Sequence, residues 1–212
     1  MKLDKTFQVG KNFEHDSAIR HVTGEAIYID DMPEDNKLMH AALITSKQAY
    51  AKIKKIDFSK LKNLPFETFV FTAKDIPGKN DIGPIFGDEP ILADNIISYF
   101  GQPVGVVVAD DYQKAMYAAN LVEIKISSLG EPILSIDDAY TKKSFLSAPM
   151  EIRIGNSKKA IKNSKHTLEG NLLIGGQDHF YLESQISLAV PNENEEMTIW
   201  SSTQHPSEVQ HG

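Results

Sequence analysis

The sequence of 212 residues predicts a mixed α/β (α+β) fold, and three consecutive patterns carry that prediction. Val104–Val108 is almost entirely apolar, which is typical of a buried strand. Tyr112–Val122 has the apolar spacing of a helix, and Asp110-Asp111 stands where a helix N-cap is needed. Glu123–Ser127 then alternates as a strand does. A strand, a helix and a strand over this length predict a parallel pair joined by a right-handed crossover.

Composition and charge exclude several classes of protein. With 41% hydrophobic and 24% charged residues, the chain has the balance of a folded domain rather than a disordered one. Its net charge of −7 argues against nucleic acid or an anionic membrane as partner, since both require a basic surface. No apolar run approaches the roughly 20 residues of a membrane span, and the start lacks a secretory signal. We therefore expect a soluble, cytoplasmic protein.

The absence of cysteine limits the chemistry that the chain can perform. With no cysteine, this chain holds no disulfide, no thiolate-ligated metal, no iron–sulfur cluster and no cysteine nucleophile. Neither the Walker pattern nor the Rossmann glycine fingerprint occurs, so the sequence does not support nucleotide binding of those kinds.

Further elements are predicted on both sides of the central strand–helix–strand unit. Punctuation by glycine and proline, together with apolar alternation, sets their limits. Asn156 is placed to cap a short helix that runs to Asn163. The predicted strands are Leu38–Thr45, Lys52–Phe58, Phe66–Thr72 (buried), Ile96–Phe100 and His166–Ile174, followed by a hairpin of Ile186–Val190 with Met197–Trp200.

The most unusual polar cluster runs from Gly175 to Glu183. Gly175 and Gly176 let the backbone approach another group closely, and Gln177 follows them directly. The alternative interpretation of the glycine pair is a plain turn between strands. His179 and Glu183 are four residues apart and would share a helix face, where they could ligate a metal, although a hydrogen-bonded structural pair is the more frequent outcome.

Two other polar segments have both a functional and a structural interpretation. Asp30-Asp31 could form a carboxylate pair for acid–base work, or it could shape the turn before Pro33. Ser201–Ser207 offers hydroxyl and amide donors ahead of a helix that begins near Pro206. Such a segment either binds an anion or caps the helix, and capping is favoured.

Four strings of residues, in the same order, resemble the xanthine dehydrogenase/aldehyde oxidase family, and in particular the molybdenum-binding subunit of bacterial xanthine dehydrogenases. The resemblance covers nearly the whole chain from about residue 14. The first two strings are generic to the family, whereas the last two are typical of its xanthine dehydrogenase branch. The strings are 16–26 (with Tyr28 and Asp30-Asp31), 101–110, 176–183 and 202–208.

The resemblance implies a domain organisation and a site. Residues 14–130 would be the α/β hammerhead domain, and residues 131–212 the truncated start of the molybdopterin-binding domain. Residues 1–13 precede the resemblance, and because they are polar and without a pattern we expect them to be a loose leader. Gln177 matches the family's amide that hydrogen-bonds an oxo ligand of molybdenum. Gly175 and Gly176 would leave room for the cofactor beside it.

The resemblance also implies an activity and partners. The expected function is the oxidation of hypoxanthine and xanthine to urate at a molybdenum–molybdopterin centre, within purine catabolism. Electrons would leave through 2Fe-2S clusters and FAD to NAD, with both redox groups on a partner subunit. Alternatives are an aldehyde oxidase or another aza-aromatic hydroxylase of the same family. An alternative of another class is a non-catalytic scaffold that docks the iron–sulfur/flavin subunit.

The sequence departs from the family in two respects. The family's Phe-Gly-Gly-Lys stretch, its substrate-binding arginine and its catalytic glutamate would lie beyond residue 212, and Glu183 belongs to a different motif. We therefore expect no catalytic residue in this chain, no activity from it alone, and self-association through apolar side chains left without partners. Gly105 stands where alanine is expected, a change that we interpret as structural.

Overall fold

The structure, a computed structural model, describes residues 10–211. Backbone contacts divide the described residues into two compact units, Lys37–Asp178 and a second that combines residues 10–36 with residues 179–211. Most of the predicted leader lies outside the described residues, and residues 11–13 are exposed without regular structure. The domain boundary expected at residue 130 stays a prediction.

Within the described residues, helices and strands alternate irregularly along the chain. Short 3₁₀ turns occur at Ile29–Asp31, Ser59–Asn63, Ala73–Asp75 and Glu193–Glu195. The helices are α1 (Ala18–Thr23), α2 (Tyr112–Leu121), α3 (Ile136–Thr141), α4 (Ser157–Asn163) and α5 (Pro206–His211). The strands are β1 (His40–Thr45), β2 (Ala51–Asp57), β3 (Phe69–Thr72), β4 (Ile96–Ile97), β5 (Pro103–Ala109), β6 (Glu123–Ser128), β7 (Ser187–Pro191) and β8 (Met197–Ser201).

The unit Lys37–Asp178 contains two three-stranded sheets. Their strand orders are β1–β5–β3 and β4–β2–β6, and every pairing in them is antiparallel. The predicted parallel pair is therefore wrong, because β5 and β6, which flank helix α2, belong to different sheets. Helix α2 does connect them, as expected, but it leads the chain from one sheet to the other.

Helix α2 forms where its sequence chemistry predicts it. Asp111 is extended and its side chain accepts a hydrogen bond of 3.0 Å from the Lys114 backbone N–H, which satisfies one of the free donors of the first turn. Ala115, Ala118 and Ala119 are buried at helical spacing against the sheet of β1 and β5. Small side chains on this face let the helix lie close to the strands.

The core of this unit consists mainly of small and branched apolar side chains. Val104 and Val107 on the central strand β5 are fully buried, which confirms the predicted buried strand. Apolar residues of the second sheet pack against the same cluster. They include Ala51, Ile97, Ile53, Ile56, Ile124 and Ile126.

Two of the predicted strands differ from the structure: one is less buried than expected, and the other does not form. Strand β3 is shorter than expected and lies at a sheet edge, with Phe69 and Phe71 45% and 47% exposed rather than buried. The predicted strand His166–Ile174 is absent from the described residues, and this stretch is exposed without regular structure. Strands need a neighbour to satisfy their backbone groups, and this stretch has none.

In the second unit, the predicted hairpin and final helix are confirmed. Strands β7 and β8 pair antiparallel, with Leu188 opposite Trp200. Helix α5 begins at Pro206, whose fixed φ suits the first helical position.

The predicted cap of helix α4, in the unit Lys37–Asp178, is also confirmed, because the Asn156 side chain accepts a hydrogen bond from the Lys159 backbone N–H at 2.9 Å. No helix of residues 10–211 is both long enough and apolar enough to cross a bilayer.

Candidate functional site

Gly175, Gly176 and Gln177 lie in an exposed stretch that has neither helix nor strand. A Cβ added to either glycine would meet no atom within 4 Å among the described residues, and neither glycine has a positive φ. The packing of this chain therefore does not require glycine at these positions. The alternative interpretation, that Gly175 and Gly176 form a plain turn between two strands, is not supported, because residues 166–174 do not form a strand.

The chemistry of this stretch fits a molybdenum–pterin group. The Gln177 amide offers two N–H donors, which suit the oxo oxygen of a metal, and its side chain is exposed. The open space around Gly175 and Gly176 permits the backbone to approach a large planar cofactor. These features agree with the role expected of the three residues, which remains a prediction.

The metal-ligand interpretation of His179 and Glu183 is wrong in its geometry. Residues 179–183 are not helical, so the two side chains do not share a helix face. Within residues 10–211, no group of three or more histidine or acidic side chains could hold a metal ion. Glu183 is instead part of a hydrogen-bonded contact, because its Oε1 accepts from the Ile29 backbone N–H at 2.9 Å.

Asp30-Asp31 acts as a turn rather than an acid–base pair. Both residues belong to the 3₁₀ turn Ile29–Asp31, and Asp31 Oδ2 accepts from the Tyr28 backbone N–H at 2.9 Å. The Tyr28 hydroxyl in turn lies 3.2 Å from His21 Nδ1. The side chains therefore stabilise the segment that presents the Ile29 N–H to Glu183.

The serine-rich segment 201–207 serves as a local brace. Ser202 Oγ donates to the Ser184 carbonyl at 2.8 Å and accepts from the Ile186 N–H at 3.0 Å. Thr203 Oγ1 accepts from the His205 N–H at 3.0 Å ahead of helix α5. These contacts use the hydroxyl groups for capping and cross-linking, as the favoured interpretation predicts.

Two cavities of the described chain are lined by residues other than Gln177. One of about 300 Å³ is lined by residues 79–90, and another of about 510 Å³ lies beside β2, β3 and residues 93–95. The first is shaped by Asp81, which accepts from the Gly83 N–H and forms an ion pair of 2.8 Å with Lys79. The nearby Lys79 ammonium lowers the pKa of Asp81. This network accounts for the loop without any ligand.

Sequence reasoning did not identify the contact between Ile29 and Glu183. The two residues are 154 positions apart, and the donor is a backbone N–H, which is the same in every residue except proline. No sequence pattern distinguishes such a donor. The nearest available signals were the capping residues around Ile29 and the position of Glu183 at the end of the 176–183 string.

Comparison with known proteins identifies the family. The family model for the aldehyde oxidase and xanthine dehydrogenase a/b hammerhead domain matches residues 23–130, and the model for the molybdopterin cofactor-binding domain matches residues 138–212. The second match includes Gly175, Gly176 and Gln177. The predicted order of a hammerhead domain followed by the start of a molybdopterin-binding domain is thereby confirmed.

Similar proteins carry related names. The xanthine dehydrogenase of Calliphora vicina is 40% identical over 95% of this chain and 15% of its own length, and aldehyde oxidase 2 of Cavia porcellus is 37% identical over the same shares. The aldehyde oxidoreductase of Desulfovibrio gigas superposes with a TM-score of 0.73 at 25% identity, covering 89% of this chain and 23% of its own. The chain thus spans about 15% of the length of these curated relatives. It belongs to the aldehyde oxidase and xanthine dehydrogenase family of molybdenum hydroxylases.

Proposed function

We propose that this chain supplies Gln177 to the molybdenum centre of an enzyme that oxidises hypoxanthine and xanthine to urate in the cytoplasm. The observation that carries the proposal is the molybdopterin-binding match over residues 138–212, together with xanthine dehydrogenases about 40% identical across 95% of the chain. In the proposed path, electrons leave through 2Fe-2S clusters and FAD on a partner subunit to NAD.

The contribution of this chain is binding and orientation. When bound, the molybdenum–pterin group supplies the two-electron oxidation. The Gln177 amide N–H would donate to an oxo oxygen and so fix its direction, while Gly175 and Gly176 would leave the space that the group occupies. The proton-transferring and substrate-binding groups would come from elsewhere in the enzyme, so this chain by itself should show no turnover.

The test compares two exposed glutamines in the complete enzyme. Replacing Gln177 by Ala removes a preorganised donor, and such a loss typically lowers kcat by about 10²–10³-fold. Gln185→Ala is the matched control, because Gln185 is exposed and only eight residues away. Equal turnover of the two variants would overturn the role of Gln177, and turnover by the chain alone would contradict its expected inactivity.

Substrate class needs a separate assay. Relatives of similar identity are named xanthine dehydrogenase, aldehyde oxidase and nicotinate hydroxylase. The complete enzyme should be assayed with purines, aldehydes and nicotinate under identical conditions. A kcat/KM for purines that exceeds those for the other substrates supports the proposal, whereas preference for an aldehyde or nicotinate assigns the enzyme to the corresponding alternative.

A scaffold function is the second candidate, because one sheet face is apolar and uncovered in the described chain. On the face of β1–β5–β3 opposite α2, Leu43 pairs with Val106, which pairs with Phe71. Leu43 and Phe71 are 54% and 47% exposed. This row would dock the iron–sulfur/flavin subunit. Loss of subunit binding in Phe71→Ser, with full turnover in Gln177→Ala, would favour the scaffold over the molybdenum role.

A further inference from the structure

A cavity of about 510 Å³ in the unit Lys37–Asp178 is lined by residues from both of its sheets. Strand β2 contributes to its wall, and so do the end of β3, the turn that follows β3, and residues 93–95 just before β4. Sites for small molecules typically have volumes of about 300–1,000 Å³, so this cavity has room for one. None of its lining residues takes part in the functions proposed above.

Strand β2 has a β-bulge at this cavity. Its register against β6 shifts between Ile53 and Lys55, so that Lys54 has no partner on β6. In a regular strand, successive side chains point to opposite faces, and only alternate residues would reach one cavity. Here the four consecutive residues 53–56 all line it. A bulge breaks the alternation in this way, and bulges are frequent where a strand directs a side chain toward a functional site.

The cavity carries an excess of positive charge. Three of its lining residues are lysines, Lys54, Lys55 and Lys74, whereas Asp94 is the single acidic one. Lys55 is compensated, because its Nζ lies 3.3 Å from Asp57 Oδ2. Within residues 10–211, neither Lys54 nor Lys74 forms an ion pair. Two ammonium groups of this cavity therefore have no carboxylate partner in the described chain.

The acids at this cavity and next to Lys74 have hydrogen bonds of other kinds. Asp94 Oδ2 accepts from Asn95 Nδ2 at 3.1 Å. Asp75, which follows Lys74 in the sequence, accepts at Oδ2 from the Thr72 backbone N–H at 2.7 Å and from Thr72 Oγ1 at 2.9 Å. In a chain of net charge −7, this cavity is a local exception. Its charge favours an anion as the ligand.

Part of the wall is apolar. Ile53, Ile56 and Phe58 are half-buried, and Ala93 is buried. All four belong to the hydrophobic cluster of the unit or pack against it, so the core holds this part of the wall in place. A ligand that combines an apolar body with an anionic group matches a lining of this kind.

The positive groups are of the type that binds phosphate. A lysine ammonium acts as a point charge toward phosphate oxygens, whereas carboxylates are matched best by the planar fork of an arginine, and no arginine is among the lining residues. We propose that the cavity binds a phosphate ester with an aromatic body, its phosphate held by Lys54 and Lys74 and its ring packed on Ile56 and Phe58. The proposal does not depend on the role of Gln177, so either can fail without the other.

The first test titrates the full chain with phenyl phosphate and follows the backbone amides by NMR. We expect saturable shifts at residues 53–56 and 73–74, with a Kd of about 1 mM, as suits so small a ligand. Methyl phosphate, which has the charge without the ring, should bind about tenfold more weakly. Shifts that do not saturate, or that occur only elsewhere in the chain, would overturn the proposal. Equal affinities of the two esters would overturn the aromatic part of the assignment.

Single lysine variants test which ammonium groups hold the phosphate. Lys54→Gln and Lys74→Gln should each raise the Kd for phenyl phosphate about tenfold, because each removes a charged hydrogen-bond donor. Lys52→Gln is the matched control, since Lys52 is an exposed lysine of the same strand that does not line the cavity. Its Kd should equal that of the unmodified chain. Equal Kd values for the three variants would show that Lys54 and Lys74 do not bind the ligand.

Salt dependence separates the ionic contribution from the apolar one. Raising the NaCl concentration from about 0.05 M to about 0.5 M shortens the range of electrostatic attraction and should weaken the binding of phenyl phosphate to the full chain. Lys54→Gln should show a smaller change, because it has one ammonium group fewer at the cavity. An affinity that is independent of salt would contradict a phosphate held by these two lysines.

Discussion

Gly105 on β5 lies so close to Phe71 on β3 that a Cβ at position 105 would be 2.8 Å from the Phe71 carbonyl oxygen. Ile44 Cδ1 on the opposite strand would be 3.2 Å away. Alanine was the expected residue here, and the structure shows why this chain has glycine. Strand β5 is paired with β1 on one side and with β3 on the other, and this pairing leaves no room for a methyl group at position 105.

Gly105→Ala should therefore destabilise the unit Lys37–Asp178. Moving β3 away from β5 to make room for the methyl group should cost about 1–3 kcal/mol, the usual penalty for overpacking. Urea unfolding of the full chain measures the change. Gly78→Ala is the control, because a Cβ there meets no atom within 4 Å and Gly78 has no positive φ. A Gly105 variant as stable as this control would contradict the close approach.

The caps of α2 and α4 should differ in their effect on stability. Asp111 caps a helix whose alanine face is buried, so Asp111→Ala should reduce the free energy of unfolding by about 1 kcal/mol. Asn156 caps a helix with no buried residue, and Asn156→Ala should leave global unfolding unchanged while it increases exchange of the Lys159 amide. Equal effects of the two variants on the unfolding midpoint would show that α4 is part of the cooperative core.

Asp57 should make the stability of the chain sensitive to acid. Hydrogen bonds from Ser59, followed by the ammonium groups of Lys125 and Lys55, lower the pKa of Asp57 from its ordinary value of 3.8. Because the folded pKa lies below the unfolded one, the stabilisation is present above pH 3.8 and is lost as the pH falls further. Asp57→Asn should flatten the fall in unfolding free energy over this acidic range.

The control for Asp57 is an exposed acid of the same unit. Asp88→Asn should reproduce the pH profile of the unmodified chain, because Asp88 is exposed and lies outside the Asp57 ion pairs. Unfolding should be measured at several values between pH 2 and pH 7 at constant ionic strength. An Asp57→Asn profile as steep as that of the control would mean that other carboxyl groups carry the acid sensitivity.

Ser202 should be required to hold the entry into β7. Ser202→Ala removes the hydroxyl that accepts from the Ile186 N–H and donates to the Ser184 carbonyl. We expect faster exchange of the Ile186 amide, with the β7–β8 pairing retained because it depends on backbone hydrogen bonds. Ser187→Ala, which loses only a side-chain contact with Ser201, is the matched control. Equal exchange rates of the Ile186 amide in the two variants would contradict this role of Ser202.

Short-range chemistry explains which elements were predicted correctly. Asp111 and Asn156 act as caps within three residues of their partners, and β7 and β8 are joined by a short connection. Each depends on residues that are close in sequence, so the pattern is sufficient. The predicted strand at 166–174 is absent because the alternation of apolar and polar residues indicates only which side chains would share a face. A strand also needs a neighbouring strand with which its backbone groups can pair.

The sequence by itself determined most of the helices and strands, the family, and the three residues Gly175, Gly176 and Gln177 as candidates. Tertiary structure decided which strands pair: β5 and β6 joined separate antiparallel sheets, because pairing depends on how buried faces fit together rather than on the spacing along the chain. It also decided that Glu183 meets Ile29. A backbone donor carries no sequence signature, so only folding shows which acceptor reaches it.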